Sequence, residues 1–236
     1  MEKRLLHSLA FLLCALFSMA QGRFCVGMLH YEILSETGRV VHVYDCSFPW
    51  KESVSVDIPE TVSYNGKNYT VIAIGANAFA SRCSLQAIKI PNSVTKIGKY
   101  AFWGCDSLRS VQIPNSVTEI GANAFLGCHL LRTVRISNSV TVIGDGAFAG
   151  CRSLWKIQIP ESVTQIGKGA FSYCCSLQEV INLADEPQEI VHPVLGHAHI
   201  FAPETLQSAR LFVKPSSLEK YKSTGGWKEF RTIVSY

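Results

Sequence analysis

The chain has 236 residues, of which 47% are hydrophobic and 17% charged, a composition that excludes an intrinsically disordered protein and suffices for one domain with a sizeable core. Its formal net charge is +4, and it falls to about +3 without residues 1–20, the predicted signal peptide described below, because 20 basic and 17 acidic residues then remain. This mild basicity does not by itself indicate any class of partner.

Residues 1–20 have the pattern of a secretory signal peptide. Lys3 and Arg4 precede an apolar run over residues 9–17, and small residues lead to a cleavage site after Ala20. The apolar run is too short to span a membrane, and no cysteine near it follows a small residue as a lipoprotein signal requires. We therefore expect an exported protein, which is secreted, held at the cell surface or periplasmic, with no membrane span.

The segment after the leader predicts antiparallel strands rather than repeats. Residues 28–34 and 40–44 are rich in β-forming residues and lie on either side of a turn. Asn65-Gly66, between two further β-rich stretches, is a strong hairpin signal. We interpret residues 21–67 as an N-terminal β cap, since the open apolar end of a repeat array needs a cover.

Residues 68–183 repeat one string, I-G-x-x-A-F-x-x-C-x-S-L-x-x-V-x-I-P-x-S-V-T-x, with a period of 23 residues. The period is plainest in the phenylalanines, at Phe79, Phe102, Phe125, Phe148 and Phe171, and in the glycines, at Gly75, Gly98, Gly121, Gly144 and Gly167. A fixed period of this length predicts a solenoid, in which each repeat is one coil that buries its apolar side only against a neighbouring coil.

The inward face of each coil is readable from the apolar spacing. Leu108, Val111 and Ile113 fall at i, i+3 and i+5 of a β-rich stretch that a proline ends. We therefore expect a parallel ladder through Val111, Val134 and Ile157, with the phenylalanines filling the centre of the coils.

The repeat strings resemble a known family. Residues 90–114, IPNSVTKIGKYAFWGCDSLRSVQIP, and residues 136–160, ISNSVTVIGDGAFAGCRSLWKIQIP, are similar to the BspA-like class of bacterial leucine-rich repeats. The resemblance implies a β-rich, right-handed leucine-rich-repeat solenoid of about five coils on a secreted or cell-surface protein, with a role in adhesion. Departures from the pattern include Ser137 in place of proline, Leu130 in place of serine, and Asn182 in place of an apolar residue.

Residues 184–236 lose the period and are interpreted as a C-terminal cap. Ser216 and Glu219 have the spacing of a capping box at the start of a short helix. Trp227 and Phe230 follow at helical spacing, and we expect both rings to cover the last coil.

The cysteines outside the leader are predicted to be mainly structural. One column of the repeat holds Cys105, Cys128, Cys151 and Cys174. Stacked coils would space these residues at about 4.8 Å, whereas a disulfide needs Cβ atoms nearer 3.8 Å, so we expect buried thiols. A column of single thiolates also cannot converge on a zinc ion. Cys25 and Cys46 lie outside the array and are the preferred disulfide pair.

A histidine-rich stretch at residues 192–199 offers the main enzymatic alternative. His192, His197 and His199 could ligate a metal, although His-x-His fixes no third ligand and solvated loop histidines are the preferred interpretation. The sequence lacks the usual motifs of nucleophilic, zinc-dependent or phosphate-binding enzymes. We therefore predict no catalytic residues, no metal and no cofactor, with a hydrolase or metal-dependent enzyme as the alternative.

The predicted strands carry a variable outer surface, which we call the strand face. Its candidate ligand-binding residues are Lys89, Arg109, Gln112, Arg132, Arg135, Trp155, Lys156 and Gln158. Arginine and tryptophan are typical of binding hot spots, and the expected partner is an extracellular or cell-surface protein or glycan. Export disfavours nucleic acid as a partner. Two other interpretations remain open, a merely solvated sheet surface and a structural envelope component.

Overall fold

The computed structural model of the chain describes residues 22–47, 53–188 and 200–236. The predicted signal peptide and the histidines at 192, 197 and 199 lie outside these residues. Within them, the strands are predominantly parallel and helices are few and short. This is the β-rich coil stack that the 23-residue period predicts.

The N-terminal segment forms a sheet whose strands follow the predicted pattern. The segment contains six strands: β1 (Arg23–Val26), β2 (Leu29–Ser35), β3 (Val40–Cys46), β4 (Val54–Asp57), β5 (Thr61–Tyr64) and β6 (Lys67–Ile74). Five of them form this sheet, whereas β4 pairs with a long strand of the array. Strands β1, β2 and β3 pair antiparallel, and β3 lies parallel to β6. The predicted hairpin joins β5 to β6, with φ of 49° at Asn65 and 72° at Gly66, the left-handed pair that a tight hairpin turn requires.

Each coil of the array then contributes two strands. The shorter ones, β8 (Lys96–Ile97), β10 (Glu119–Ile120), β12 (Val142–Ile143) and β14 (Gln165–Ile166), add in parallel to β6. The N-terminal sheet therefore continues into the array as one nine-stranded sheet. Because every coil extends the same sheet, the cap and the array share backbone hydrogen bonds and one core.

The longer strands are β7 (Leu85–Lys89), β9 (Ser110–Gln112), β11 (Thr133–Arg135), β13 (Lys156–Ile159) and β15 (Glu179–Asn182). They form two ladders rather than one. In the first, β4, β7, β9 and β11 are parallel and Val111 pairs with Val134 as predicted. Ile157 pairs instead with Val180 in the second ladder, so the predicted continuous ladder is interrupted between β11 and β13.

A stack of phenylalanine rings fills the centre of the array. Phe79, Phe102, Phe125, Phe148, Phe171 and Phe201 follow one another with ring centroids 4.9 to 5.5 Å apart and interplanar angles of at most 13°. Phe201 adds a sixth layer beyond the five predicted, and the backbone N–H of Phe171 donates to the carbonyl of Ile200 at 2.9 Å. The coil geometry thus continues where the sequence period has been lost.

The C-terminal segment closes the stack. Strands β16 (Arg210–Val213) and β17 (Thr232–Ser235) extend the second ladder in parallel, accompanied by helices α1 (Pro203–Ser208) and α2 (Leu218–Ser223). Trp227 and Phe230 are buried and meet the ring of Phe201 edge-on, at 5.9 and 5.1 Å between centroids, as predicted. The predicted capping box is wrong, because a 3-10 turn over Pro215–Ser217 runs directly into α2 and no side chain caps it.

Two departures from the repeat pattern are accommodated by hydrogen bonds. The hydroxyl of Ser137 donates to the carbonyl of Pro114 at 2.9 Å, one coil earlier. Buried Asn182 donates to the side-chain oxygen of Gln188 at 2.8 Å and accepts from the N–H of Ala184 at 3.2 Å. Both polar side chains therefore stay satisfied although they occupy buried positions.

The predicted disulfide between Cys25 and Cys46 is wrong. Cys46 is a buried reduced thiol that donates to the carbonyl of Ala78 at 3.4 Å. Strand β2 lies between the strands that carry the two cysteines, so two strand spacings of about 4.8 Å separate their backbones. A disulfide, which needs Cβ atoms about 3.8 Å apart, cannot bridge that gap.

Candidate binding surface

All eight residues of the strand face lie on or beside strands β7, β9, β11 and β13 with their side chains toward solvent. Lys156 is half-buried and the other seven are exposed. The buried partners on the same strands are Ile88, Val111, Val134 and Ile157. The alternation that buries these four residues is what turns the candidate residues outward.

The two lysines of the strand face are paired with carboxylates. The Lys89 ammonium lies 3.2 Å from Asp57, and that of Lys156 lies 2.8 Å from Glu179. Both pairs join neighbouring strands and are accessible to solvent. The charge of these lysines is therefore largely compensated within the protein, and the strand face is less basic than its residue types alone suggest.

The three arginines differ from the lysines in this respect. Across the residues that the structure describes, none of Arg109, Arg132 and Arg135 forms an ion pair. The backbone N–H of Arg132 donates to the backbone carbonyl of Arg109 at 2.9 Å, so these two residues are neighbours on adjacent coils. Arg135 sits opposite Gln112. Like charges on neighbouring strands repel, and an anionic ligand would relieve that repulsion.

Trp155 follows Arg109 and Arg132 in the same column, one coil further on. Its side chain is 45% exposed, and the Lys156 ammonium lies 5.7 Å from its ring centroid. The ladder of strand hydrogen bonds is interrupted between these arginines and the tryptophan, although their coils remain stacked, with the ring centroids of Phe125 and Phe148 5.2 Å apart. The strand face thus has two halves, an arginine half on the first ladder and an aromatic half on the second.

The cysteine column does not have the chemistry of a nucleophilic site. The thiols of Cys105, Cys128, Cys151 and Cys174 donate to the carbonyls of Phe79, Phe102, Phe125 and Phe148 at 3.1 to 3.3 Å. Burial raises the pKa of Cys128 and of Cys174 to about 12 and raises the other two as well. Thiols of this kind remain protonated at neutral pH and are weak nucleophiles.

A polar cluster on the N-terminal sheet was not anticipated from the sequence. Glu32 accepts from Arg23 at 3.0 Å and lies 2.9 Å from the His42 ring nitrogen, and the hydrogen bond with His42 lowers the pKa of Glu32. Arg82 contacts Asp45 at 2.9 Å. These groups neutralise one another, and the described part of the chain contains no cluster of three or more metal-ligating side chains. These contacts link strands β1, β2 and β3 of the cap to one another and to the first coil.

The array matches the family model described as "BspA type Leucine rich repeat region", with six copies over residues 72–191. That is just over half of the sequence, and one copy more than the period of the phenylalanines predicts. The chain belongs to the BspA-type leucine-rich-repeat family. Stacked repeats of this kind form a scaffold with an extended surface.

Solved bacterial leucine-rich-repeat proteins share the fold. A protein from Bacteroides ovatus is 26% identical with a TM-score of 0.62 over 82% of this chain and 59% of its own, so the matched part spans under two thirds of that relative. A T. pallidum protein is 29% identical with a TM-score of 0.59, covering 67% of this chain and 70% of its own. The pneumococcal vaccine antigen PcpA, 18% identical with a TM-score of 0.53, covers 82% of this chain and 65% of its own, and shows the fold alone.

A search of curated proteins gave no match. Among the described residues, no helix is long and apolar enough to cross a membrane.

Proposed function

We propose that the protein is an exported, non-enzymatic binding scaffold whose strand face contacts an acidic protein or glycan outside the cell. The observation that carries the proposal is the set of three exposed arginines on neighbouring strands without carboxylate partners among the described residues. The family membership supports the scaffold role. Arginine presents a planar fork of donors, which suits carboxylate and sulfate groups.

The aromatic half gives the strand face a second kind of contact. Trp155 is half-exposed directly before β13, and its side chain has only two rotatable bonds, so ordering it against a ligand costs little side-chain entropy. A ligand that spans both ladders would place its acidic groups on the arginines and an apolar or sugar surface on the tryptophan. Rigid coils on both sides hold the two halves at a fixed separation.

The test compares two variants with the same loss of charge. In the first, Arg109, Arg132 and Arg135 are replaced with serine, and in the matched control Lys168, Lys228 and Arg231 are replaced with serine on other exposed surfaces. Binding to an immobilised extracellular-matrix preparation is measured at low and moderate salt, with heparin as a soluble anionic competitor. We expect the first variant to bind about tenfold more weakly and the control to bind like the parent.

Salt should weaken the parent's binding, because the Debye length falls to about 8 Å at physiological ionic strength. Equal binding by both variants would refute the role of the strand face while leaving a scaffold acting through another surface. Trp155→Ala tests the aromatic half separately and should lower affinity without changing the salt dependence. Cell fractionation of the full-length protein tests export, since recovery only from the cytoplasm would contradict it.

A further inference from the structure

A second exposed surface lies where each coil leaves the phenylalanine stack and turns toward its long strand. It is a groove of about 660 Å³ that crosses five coils. Its floor contains Gly104, Gly127 and Gly150, with φ of 65°, 72° and 71°. Trp103 and Tyr173 stand over it with 45% and 72% of their surface exposed. Exposed aromatic rings beside a groove indicate a surface that another molecule covers.

One column of the groove has a symmetric order of side chains. At intervals of 23 residues it reads Cys83, Asp106, His129, Arg152 and Cys175. One coil away from the central histidine lie the opposite charges of Asp106 and Arg152, and two coils away lie the exposed thiols of Cys83 and Cys175. When the same column of a second chain runs antiparallel against it, an acidic side chain meets a basic one and a thiol meets a thiol.

The neighbouring columns have the same symmetry. The next one reads Ser84, Ser107, Leu130, Ser153 and Ser176, so its one apolar side chain, 44% exposed, sits at the level of the central histidine. The columns on the other side hold the exposed aromatic rings. When a second array is placed antiparallel against the first, Trp103 comes level with Ala149 and Gly150 of the second copy, and Tyr173 comes level with Ser81 of the second copy. Each large exposed ring therefore faces small residues that leave room for it.

We propose that this groove is the docking surface for a second copy of the chain, with the two arrays antiparallel about a twofold axis at the level of Leu130. In this dimer Leu130 meets Leu130 of the second copy, Asp106 meets Arg152 of the second copy, and Cys83 faces Cys175 of the second copy. A twofold interface uses the same patch on both subunits, which requires the self-complementary order that these columns have.

The charges favour a second copy over a sugar or a generic apolar ligand. Arg152 forms no ion pair with any described residue, and Asp106 contacts only the His129 ring, at 3.0 Å, among its ion-pair partners there. Cys83 and Cys175 cannot join within one chain, because four coil spacings, about 19 Å, separate them and a disulfide needs Cα atoms within about 7 Å. Between two antiparallel copies the same two thiols come face to face, twice.

Disulfide trapping of the full chain tests the arrangement. With oxidised glutathione as the oxidant, one protein thiolate attacks the glutathione disulfide and releases one glutathione. The second protein thiolate then attacks the mixed disulfide and releases another. Two protein thiols become one disulfide and the oxidised glutathione becomes two reduced molecules. We expect a covalent dimer whose cross-linked peptides join Cys83 to Cys175.

Single cysteine variants separate this geometry from random collision. Cys83→Ser and Cys175→Ser should each fail to cross-link alone, because the remaining thiol faces serine, whereas their mixture should give a covalent dimer with one disulfide. The double variant measures any background from Cys25, which is only half-buried. Efficient cross-linking of either single variant alone would overturn the proposed register.

Charge reversal tests the interface without any oxidation. In reducing buffer, sedimentation equilibrium should show the parent as a dimer. Asp106→Arg and Arg152→Asp should each raise the dissociation constant about tenfold or more, because each places two like-charge pairs in the interface. Mixing the two variants restores both opposite-charge pairs and should restore the dimer. Circular dichroism checks that each variant is folded.

A parent that sediments as a monomer up to its solubility limit would overturn the proposal. So would a dimer whose affinity ignores both charge reversals. If the monomeric parent instead changed its tryptophan fluorescence on titration with chitohexaose, and Trp103→Ala abolished the change, the groove would be a sugar-binding surface and the dimer would be rejected.

Discussion

The thiol of Cys128 donates a hydrogen bond to the carbonyl oxygen of Phe102, one coil earlier, at 3.1 Å. The same contact recurs at each neighbouring coil, so every buried thiol in the column satisfies a carbonyl of the coil before it. Cysteine is small enough to fit beside the phenylalanine stack and is still a donor. The repeated cysteine therefore has a structural role in joining coils.

This column predicts a defined pattern of thiol reactivity. In the folded monomer, at concentrations too low for association, an aromatic disulfide reagent should react rapidly with the exposed Cys83 and Cys175. Cys105, Cys128, Cys151 and Cys174 are buried and should react only as the chain unfolds. Rapid native-state labelling of any of these four residues, located by mass spectrometry of the labelled peptides, would contradict the column.

The raised thiol pKa values predict a loss of stability in alkali. Burial raises the pKa of Cys128 from 9.0 to about 12, so between these values the unfolded chain ionises while the folded chain stays protonated. The free energy of unfolding should therefore fall as pH rises above 9, by about 1.4 kcal/mol per pH unit for each such thiol. Below pH 9 this contribution is fully present.

Cys128→Ala provides the comparison for that prediction. The variant should be less stable than the parent at pH 8, because it loses a buried hydrogen bond and some packing. Its stability should then fall less steeply between pH 9 and pH 10, since one titrating thiol is absent. Urea denaturation at each pH measures both effects, and parallel pH profiles for the two proteins would show that Cys128 does not titrate differently on unfolding.

The phenylalanine stack predicts a large cost for removing one ring from its middle. Phe125 lies between Phe102 and Phe148, with centroids 4.9 and 5.2 Å away, and is fully buried. Phe125→Ala should lower the free energy of unfolding by about 3–5 kcal/mol. Tyr236→Ala, which removes a ring that is 58% exposed, is the control and should change stability little. A denaturation midpoint unchanged in Phe125→Ala would contradict the stack.

Close approach of the backbone between coils predicts that Gly144 cannot be replaced. A Cβ at this position would lie 2.6 Å from the backbone nitrogen of Ala122 and 2.8 Å from the carbonyl carbon of Gly121. Gly144→Ala should therefore cost about 1–3 kcal/mol, the usual range for overpacking. Gly66→Asn is the control, because that turn position has open space and a left-handed φ that asparagine tolerates. Thermal unfolding of both variants distinguishes crowding from a general loss of glycine.

The buried amide pair at the end of the array predicts a coupled effect. The side chain of Gln188 accepts from Asn182 at 2.8 Å and donates to the carbonyl of Val163 at 2.9 Å. The backbone carbonyl of Gln188 accepts from the indole of Trp227 at 2.9 Å. Gln188→Ala should cost about 1–3 kcal/mol because it leaves the side-chain NH2 group of Asn182 buried without its acceptor. Replacing both side chains with leucine should recover part of that loss. The single variants Gln188→Leu and Asn182→Leu complete a double-mutant cycle, and a double variant whose cost equals the sum of theirs would show that the two amides act independently.

The sequence alone determined the repeat, the family resemblance and the inward set of residues, because these depend on a period that every coil obeys. Phe125, Leu131 and Val134 recur at fixed intervals, and a residue repeated in every coil has the same environment in every coil. The hairpin at Asn65-Gly66 was equally predictable, since its turn geometry depends only on local backbone preferences.

Tertiary structure decided whatever depends on contacts between residues that the period does not relate. Cys46 turns toward the array rather than toward Cys25 because of the order of strands in the cap, which no local pattern specifies. Phe201 enters the stack from a stretch without the repeat, since its position is set by the coil beneath it. The strand face is likewise less basic than the sequence indicates, because Lys89 pairs with Asp57 across the sheet. Ion pairing of this kind depends on which side chains adjacent strands bring together.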